Sequence, residues 1–108
     1  MLSIGEFSRI CKVSTKTLRY YAEIGLLAPS EVNLENGYRY YAIEQLETML
    51  LINRLKAYSF SLDEIKTILQ SENMQDDTLQ LAFIRKKKEI EQQIHTYSQI
   101  LTQMEEDI

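Results

Sequence analysis

The chain has 108 residues, enough for one ordinary domain or a small domain with an appendage. Hydrophobic residues make up 44% and charged residues 26%, which excludes a disordered segment, and no apolar run exceeds Met49-Leu50-Leu51-Ile52, far short of the roughly 18 residues a membrane span needs. One cysteine and one histidine exclude an intrachain disulfide, a multi-cysteine metal site and most catalytic constellations, so neither an enzyme nor a cofactor is expected.

The formal net charge of −4 weighs against nucleic acid, but it is unevenly spread. Residues 1–58 hold seven Lys/Arg against six Asp/Glu, and residues 59–108 hold five against ten. Any DNA contact therefore depends on a few well-placed cations and neutral donors. The N-terminus lacks a basic region followed by an apolar stretch, so no signal peptide and a cytoplasmic location are expected.

In chain order, Ser3 and Glu6 have capping-box spacing and predict a helix over 3–11 with Ile4, Phe7, Ile10 and Cys11 on one face. Ser14 is the expected N-cap of a second helix of about ten residues, which Gly25 stops in a left-handed conformation. There Leu18, Tyr21 and Ala22 take one side, and Lys16, Arg19, Tyr20 and Glu23 the other. Two short helices joined by a tight turn, the second with a cationic and aromatic outer face, make a helix-turn-helix candidate. Pro29 blocks further helix, Asn36-Gly37 signals a hairpin turn, and Tyr38-Arg39-Tyr40-Tyr41 suits a strand. A two-stranded wing is expected, 30–33 paired with 38–41, with Arg39 projecting opposite to Tyr38 and Tyr40.

A third helix is expected over 43–57, with Leu46, Met49, Leu50 and Asn53 at 3–4 spacing. Ser59-Phe60-Ser61 ends it, and Ser61 with Glu64 forms a second capping box for a fourth helix whose apolar side is Leu62, Ile65, Ile68 and Leu69. Residues 71–75 read as a polar linker. From 76 to 108 there is no Gly or Pro, and Asp76 and Asp77 suit the positive end of a helix dipole. Phe83, Lys87, Ile90, Ile94, Tyr97, Leu101, Met104 and Ile108 follow steps of four and three, a heptad seam with one cationic interruption. A helix carrying that seam needs a partner, and a second copy is the simplest. The period alone does not choose parallel from antiparallel. The fold class expected is mainly α: a winged helix-turn-helix over 1–70 with a short β-hairpin wing, then a long coiled-coil helix over 76–108.

Four strings carry a resemblance: Ile4-Gly5-Glu6-Phe7-Ser8, Val13-Ser14-Thr15-Lys16-Thr17-Leu18-Arg19-Tyr20-Tyr21, Ile24-Gly25-Leu26-Leu27-Ala28-Pro29 and Gly37-Tyr38-Arg39-Tyr40-Tyr41. Together they resemble the DNA-binding region of the MerR family of bacterial transcription regulators, closely over 1–70 and less specifically over the tail. The resemblance implies two wings, the hairpin 30–41 and the connection around Tyr58–Phe60. It also implies a homodimer through an antiparallel coiled coil, bound to a pseudo-palindromic operator in double-stranded promoter DNA. Activated family members bend and untwist that DNA so that RNA polymerase engages both promoter elements, a readout of base contacts and deformability together. Effector sites in the family lie beyond the long helix.

The side chains agree with that chemistry. Arg19 suits a guanine edge or a phosphate, and Thr15 and Lys16 lie near the N-terminus of their helix. Tyr20 offers a hydroxyl and a flat ring. Arg39, Lys56 and Tyr58 suit phosphates, and Tyr38 completes the expected DNA-binding set. Dimerisation is expected from Phe83, Ile90, Ile94, Tyr97, Leu101 and Met104.

Bland alternatives stand beside several of these. Arg19 can pair with Glu23 at i, i+4, and Tyr38 and Tyr40 can pack a wing face on the third helix. Tyr21 belongs to the core, because adjacent helix positions diverge. Arg85-Lys86-Lys87-Lys88 spans most of a turn and fits acid pairing with Glu89 and Glu91 better than a phosphate patch. Some of the resembling regulators sense metals or oxidants through cysteine near the dimerisation helix; here Cys11 sits on an apolar face and reads as buried, and His95 has no ligand set around it. The alternatives to a regulator are an excisionase-like architectural DNA-binding protein and a coiled-coil protein-interaction module.

Overall fold

The computed structural model describes residues 1–71 and 76–108. Residues 72–75, most of the expected linker, lie outside the described residues. The elements run β1 (Leu2–Ser3), α1 (Ile4–Cys11), α2 (Thr15–Glu23), β2 (Glu31–Val32), β3 (Arg39–Tyr41), α3 (Gln45–Ala57), α4 (Leu62–Gln70) and α5 (Asp76–Asp107). They form two units, Met1–Leu69 and Gln70–Ile108.

Both capping boxes form. The Ser3 hydroxyl accepts from the Glu6 amide at 3.2 Å, and the Glu6 carboxylate accepts from the Ser3 amide at 3.0 Å. Ser61 and Glu64 repeat the arrangement at 3.1 and 2.9 Å. Ser14 caps α2 by accepting from the Thr17 amide, and Gly25, at φ +74°, ends the turn that follows α2.

The sheet departs from the two-stranded expectation. It has three antiparallel strands in the order β1-β3-β2, with Leu2 opposite Tyr41 and Ser3 opposite Tyr40, then Glu31 opposite Tyr40 and Val32 opposite Arg39. Ser3 is the reason: an N-cap residue is extended, here at φ −67° and ψ 161°, so its backbone can pair as a strand while its side chain starts a helix. The turn between β2 and β3 is longer than two residues. The Gly37 amide bonds the Asn33 carbonyl, the Asn33 and Asn36 side chains accept from Glu35 and Tyr38, and Gly37 takes φ +73°.

The core of the first unit is Phe7, Leu18, Tyr21, Tyr41, Met49, Ile52, Leu55 and Ile65, all fully buried. Phe7 stacks on Tyr41 with ring centroids 4.3 Å apart and planes 15° apart, joining α1 to the central strand. Two apolar assignments are corrected. Ile10 is exposed, because at about 100° per residue it lies well off the arc shared by Phe7 and Cys11. Leu50 is exposed too, and α3 buries the expected Met49 together with Ile52 and Leu55. That helix carries apolar residues on several sides, so spacing did not fix its inner face. It also starts at Gln45 rather than 43, since Ala42–Glu44 forms a turn in which the Gln45 side chain accepts from the Ala42 amide.

The α3–α4 connection is held from inside. Phe60 is buried, so it anchors this loop, and Ser59 sits at φ +71° at the end of α3. Asn53, read from the sequence as part of an apolar face, donates to the Cys11 carbonyl at 3.1 Å and satisfies the C-terminal end of α1.

In the second unit, α5 runs 32 residues, about 48 Å at the standard helical rise. Ile94, Tyr97, Leu101 and Met104 are exposed, and Phe83 and Ile90 are half-buried. Within the basic run, Lys86 pairs with Glu89 at 2.9 Å and Lys87 with Glu91 at 3.8 Å.

Ser59→Gly relieves a left-handed conformation that a Cβ disfavours, and should stabilise the protein by about 0.5–1 kcal/mol in urea unfolding. The Ser3 amide and hydroxyl hold the Glu6 carboxyl below its usual 4.5. Its stabilising effect is therefore present above the unfolded value and lost as pH falls through the folded one. Glu6→Gln should flatten the acid limb of a Tm-against-pH curve below about pH 4.5, leaving the neutral limb's shape unchanged.

Candidate nucleic-acid interface

The outward face of α2 is built by helical spacing. Lys16, Arg19, Tyr20 and Glu23, at i, i+3, i+4 and i+7, are all exposed, whereas Leu18 and Tyr21 are fully buried. Among the described residues no carboxylate pairs with Lys16 or Arg19, so the Arg19–Glu23 alternative is not adopted. Thr15 is the first residue of α2 and is half-buried beside its capped end.

The C-terminal end of α2 is fastened by two cations from the following helix pair. Lys66 of α4 donates to the Ile24 carbonyl at 2.8 Å, and Lys56 of α3 donates to the Tyr21 hydroxyl at 2.9 Å. A helix C-terminus carries partial negative charge, which Lys66 offsets. Neither contact has a local sequence signal, since the partners are 42 and 35 residues apart.

Beside α2 lies a groove of about 440 Å³ lined by Ser3, Ile4, Arg19, Gly37, Tyr38, Arg39 and Tyr40. It brings together Arg19, Tyr38 and Arg39 from the expected set and adds Tyr40 and the β1–α1 junction, which sequence reasoning did not assign to a site. Tyr38 is 64% exposed, which settles its alternative: it faces outward. Arg39, Tyr38 and Tyr40 all contribute to the lining of this groove. Strand alternation puts Arg39 on the face of fully buried Tyr41. One Arg39 guanidinium nitrogen, Nη1, is buried with no hydrogen-bond partner among the described residues, and the same holds for the Tyr41 hydroxyl. Burial pushes the Tyr41 hydroxyl above its usual value, partly offset by Arg39 and Arg19, so it stays protonated.

Lys56 and Tyr58 lie apart from this lining, at the end of α3, and both are exposed. Cys11 is buried and its thiol is pushed up by desolvation, which suits a packed side chain rather than a reactive one. No cluster of three or more His, Cys, Asp or Glu able to hold a metal occurs among the described residues, His95 included. No helix among them is long and apolar enough to cross a membrane.

A capped helix pair whose second helix offers an exposed cationic and aromatic face, flanked by a three-stranded wing, defines a winged helix-turn-helix. Residues 2–72 match the family model described as MerR HTH family regulatory protein, and residues 46–106 match that described as MerR, DNA binding. The chain belongs to the MerR family. The multidrug-efflux transporter 2 regulator of Bacillus subtilis (strain 168) is 39% identical over 98 residues, covering 91% of this chain and 35% of that protein. The EcmrR–DNA complex in EcmrR-RPo superposes with a TM-score of 0.77 at 39% identity, covering 94% of this chain and 36% of that one. HiNmlR, a MerR family regulator lacking the sensor domain and bound to promoter DNA, superposes with a TM-score of 0.65 at 25% identity, covering 96% and 84%. This chain thus spans about a third of the length of the first relative and the first structure. These likenesses do not favour the architectural or protein-interaction alternatives.

Tyr41→Phe keeps the stack on Phe7 and removes an unpaired buried hydroxyl, so it should stabilise the protein by about 1 kcal/mol in urea unfolding.

Proposed function

We propose that this chain acts in the cytoplasm as a dimeric, sequence-specific DNA-binding regulator of transcription, with 1–70 as its DNA-reading domain and 76–108 as its dimerisation helix. The observation that carries the reading is the α2 face: Lys16, Arg19 and Tyr20 are outward, and among the described residues neither cation is paired with a carboxylate. Thr15, Lys16, Arg19 and Tyr20 enter the major groove. Tyr38 and Arg39 from the wing, and Lys56 and Tyr58 from the α3–α4 connection, meet the flanking backbone. A chain with net charge −4 binds DNA this way because Lys16 and Arg19, on the reading surface, have no carboxylate partner among the described residues. As the names of EcmrR-RPo and of the HiNmlR complex describe DNA-bound regulators, promoter DNA is the partner proposed here, with RNA polymerase engaged through that DNA.

Dimerisation follows from α5. A heptad seam with Ile94, Tyr97, Leu101 and Met104 exposed costs free energy in water unless covered, and a second copy offers a matching seam. Phe83 and Ile90 continue the same seam toward the helix N-terminus. Two copies place two α2 helices on a two-fold axis, which suits a pseudo-palindromic operator.

Anisotropy titration of a duplex from the chain's own upstream DNA, beside a scrambled duplex over a salt series, tests the reading. Binding should saturate at two chains per duplex, prefer the upstream DNA and weaken with salt. Arg19→Ala should weaken it about tenfold or more, and Lys16→Ala should lower the salt slope by about one. Equal binding of Arg19→Ala and wild type would overturn the proposed α2 contact. Leu101→Glu should give a monomer by sedimentation velocity; a dimer unchanged by it would overturn the proposed seam.

A further inference from the structure

Tyr21 reads from the sequence as a core residue, and its ring is indeed 1% exposed. Its hydroxyl does something that packing does not require. Lys56 Nζ lies 2.9 Å from that oxygen and 5.6 Å from the ring centroid. The second distance is close to the sum of the first and the ring's own centroid-to-oxygen length. The ammonium therefore sits beyond the hydroxyl, in line with it, rather than over the ring face. Tyr21 acts here as a hydrogen-bond acceptor at the end of a rigid, buried arm.

The consequence is electrostatic. In α5, a glutamate fixes the Lys86 ammonium but offsets its charge. A hydroxyl fixes an ammonium without cancelling it. Lys56 keeps its full charge, keeps two further N–H donors, and is exposed. Among the described residues no carboxylate pairs with it. Its anchor belongs to the same helix as the outward face, and the exposed Tyr20 ring is only 6.4 Å from the Tyr21 ring. A free lysine must give up side-chain freedom to meet a phosphate; one already held does not.

We propose that Tyr21 is a positioning residue for DNA binding: its buried hydroxyl pre-sets the Lys56 ammonium, at full charge, beside α2 for a backbone phosphate. The inference rests on the DNA-binding reading above and deepens it. Tyr21 itself touches no DNA and acts through Lys56.

A double-mutant cycle tests this, using the full chain, a duplex of its own upstream DNA, and a mixed-sequence duplex at low salt. Lys56→Ala should weaken binding to both duplexes and lower the salt slope by about one, the signature of a lost phosphate contact. Tyr21→Phe should weaken binding about three- to tenfold while leaving the salt slope unchanged, because the contact survives and only its pre-ordering is lost. On the Lys56→Ala background, Tyr21→Phe should cost nothing further. A cost equal on both backgrounds would show that Tyr21 acts by packing α2, and would overturn the inference. So would an unchanged affinity for Tyr21→Phe, with folding checked by circular dichroism and thermal unfolding. If Lys56→Ala binds as wild type while Arg19→Ala does not, the DNA-binding reading stands and this inference falls. If the wild-type chain binds neither duplex, both fall.

Discussion

The stack of Phe7 on Tyr41 is the contact on which the first unit's geometry depends. One ring belongs to α1 and the other to the central strand of the sheet, so the stack fixes the wing against the helix pair. Without it, the wing would be a two- or three-residue-per-strand ribbon, too short to be stable in isolation. Because β3 is pinned, Tyr38, Arg39 and Tyr40 meet Arg19 across one groove. β1 reinforces this from the other side: the residue that caps α1 also pairs with Tyr40.

The second theme is how a net-negative chain keeps cations available. Charge count alone points away from DNA. Commitment of charge is the better measure. In α5, Lys86 and Lys87 are bound to Glu89 and Glu91 and contribute little field. Around α2, the partners are neutral: a carbonyl for Lys66, a phenol for Lys56, and no carboxylate for Lys16 or Arg19 among the described residues. Lys86 and Lys87 are thus offset by carboxylates, whereas Lys56 and Lys66 keep their charge on neutral partners.

The α3–α4 pair supports the reading helix as well as repeating its architecture. Its capping box starts α4 as the first starts α1, with the same Ser-x-x-Glu spacing. Lys56 and Lys66 then reach across to the C-terminal end of α2, and Asn53 closes the end of α1. Three polar side chains tie the two helix pairs together. Each satisfies a helix-end carbonyl or a buried hydroxyl, groups that would otherwise be desolvated without a partner.

Features set by local chemistry are legible in neighbouring residues. Ser3, Ser14 and Ser61 start helices because their side chains bond amides three residues on, and Gly25 ends a turn because it tolerates positive φ. The outward face of α2 was legible because Leu18 and Tyr21 set a clear inner side at helical spacing. The family likeness was legible from motifs such as Leu18-Arg19-Tyr20-Tyr21 and Gly37-Tyr38-Arg39-Tyr40-Tyr41. Other features depend on how the elements pack. A two-residue strand at Leu2–Ser3 has no period to read, and the inner face of α3 could not be chosen when apolar residues surround it. The partners of Lys56, Lys66, Asn53 and Arg19 depend on segments brought together across long stretches of chain, or on the absence of a pairing that spacing alone allows. Local hydrogen bonds and helical period are written in neighbouring residues, whereas a side chain's long-range partner exists only once the helices have packed.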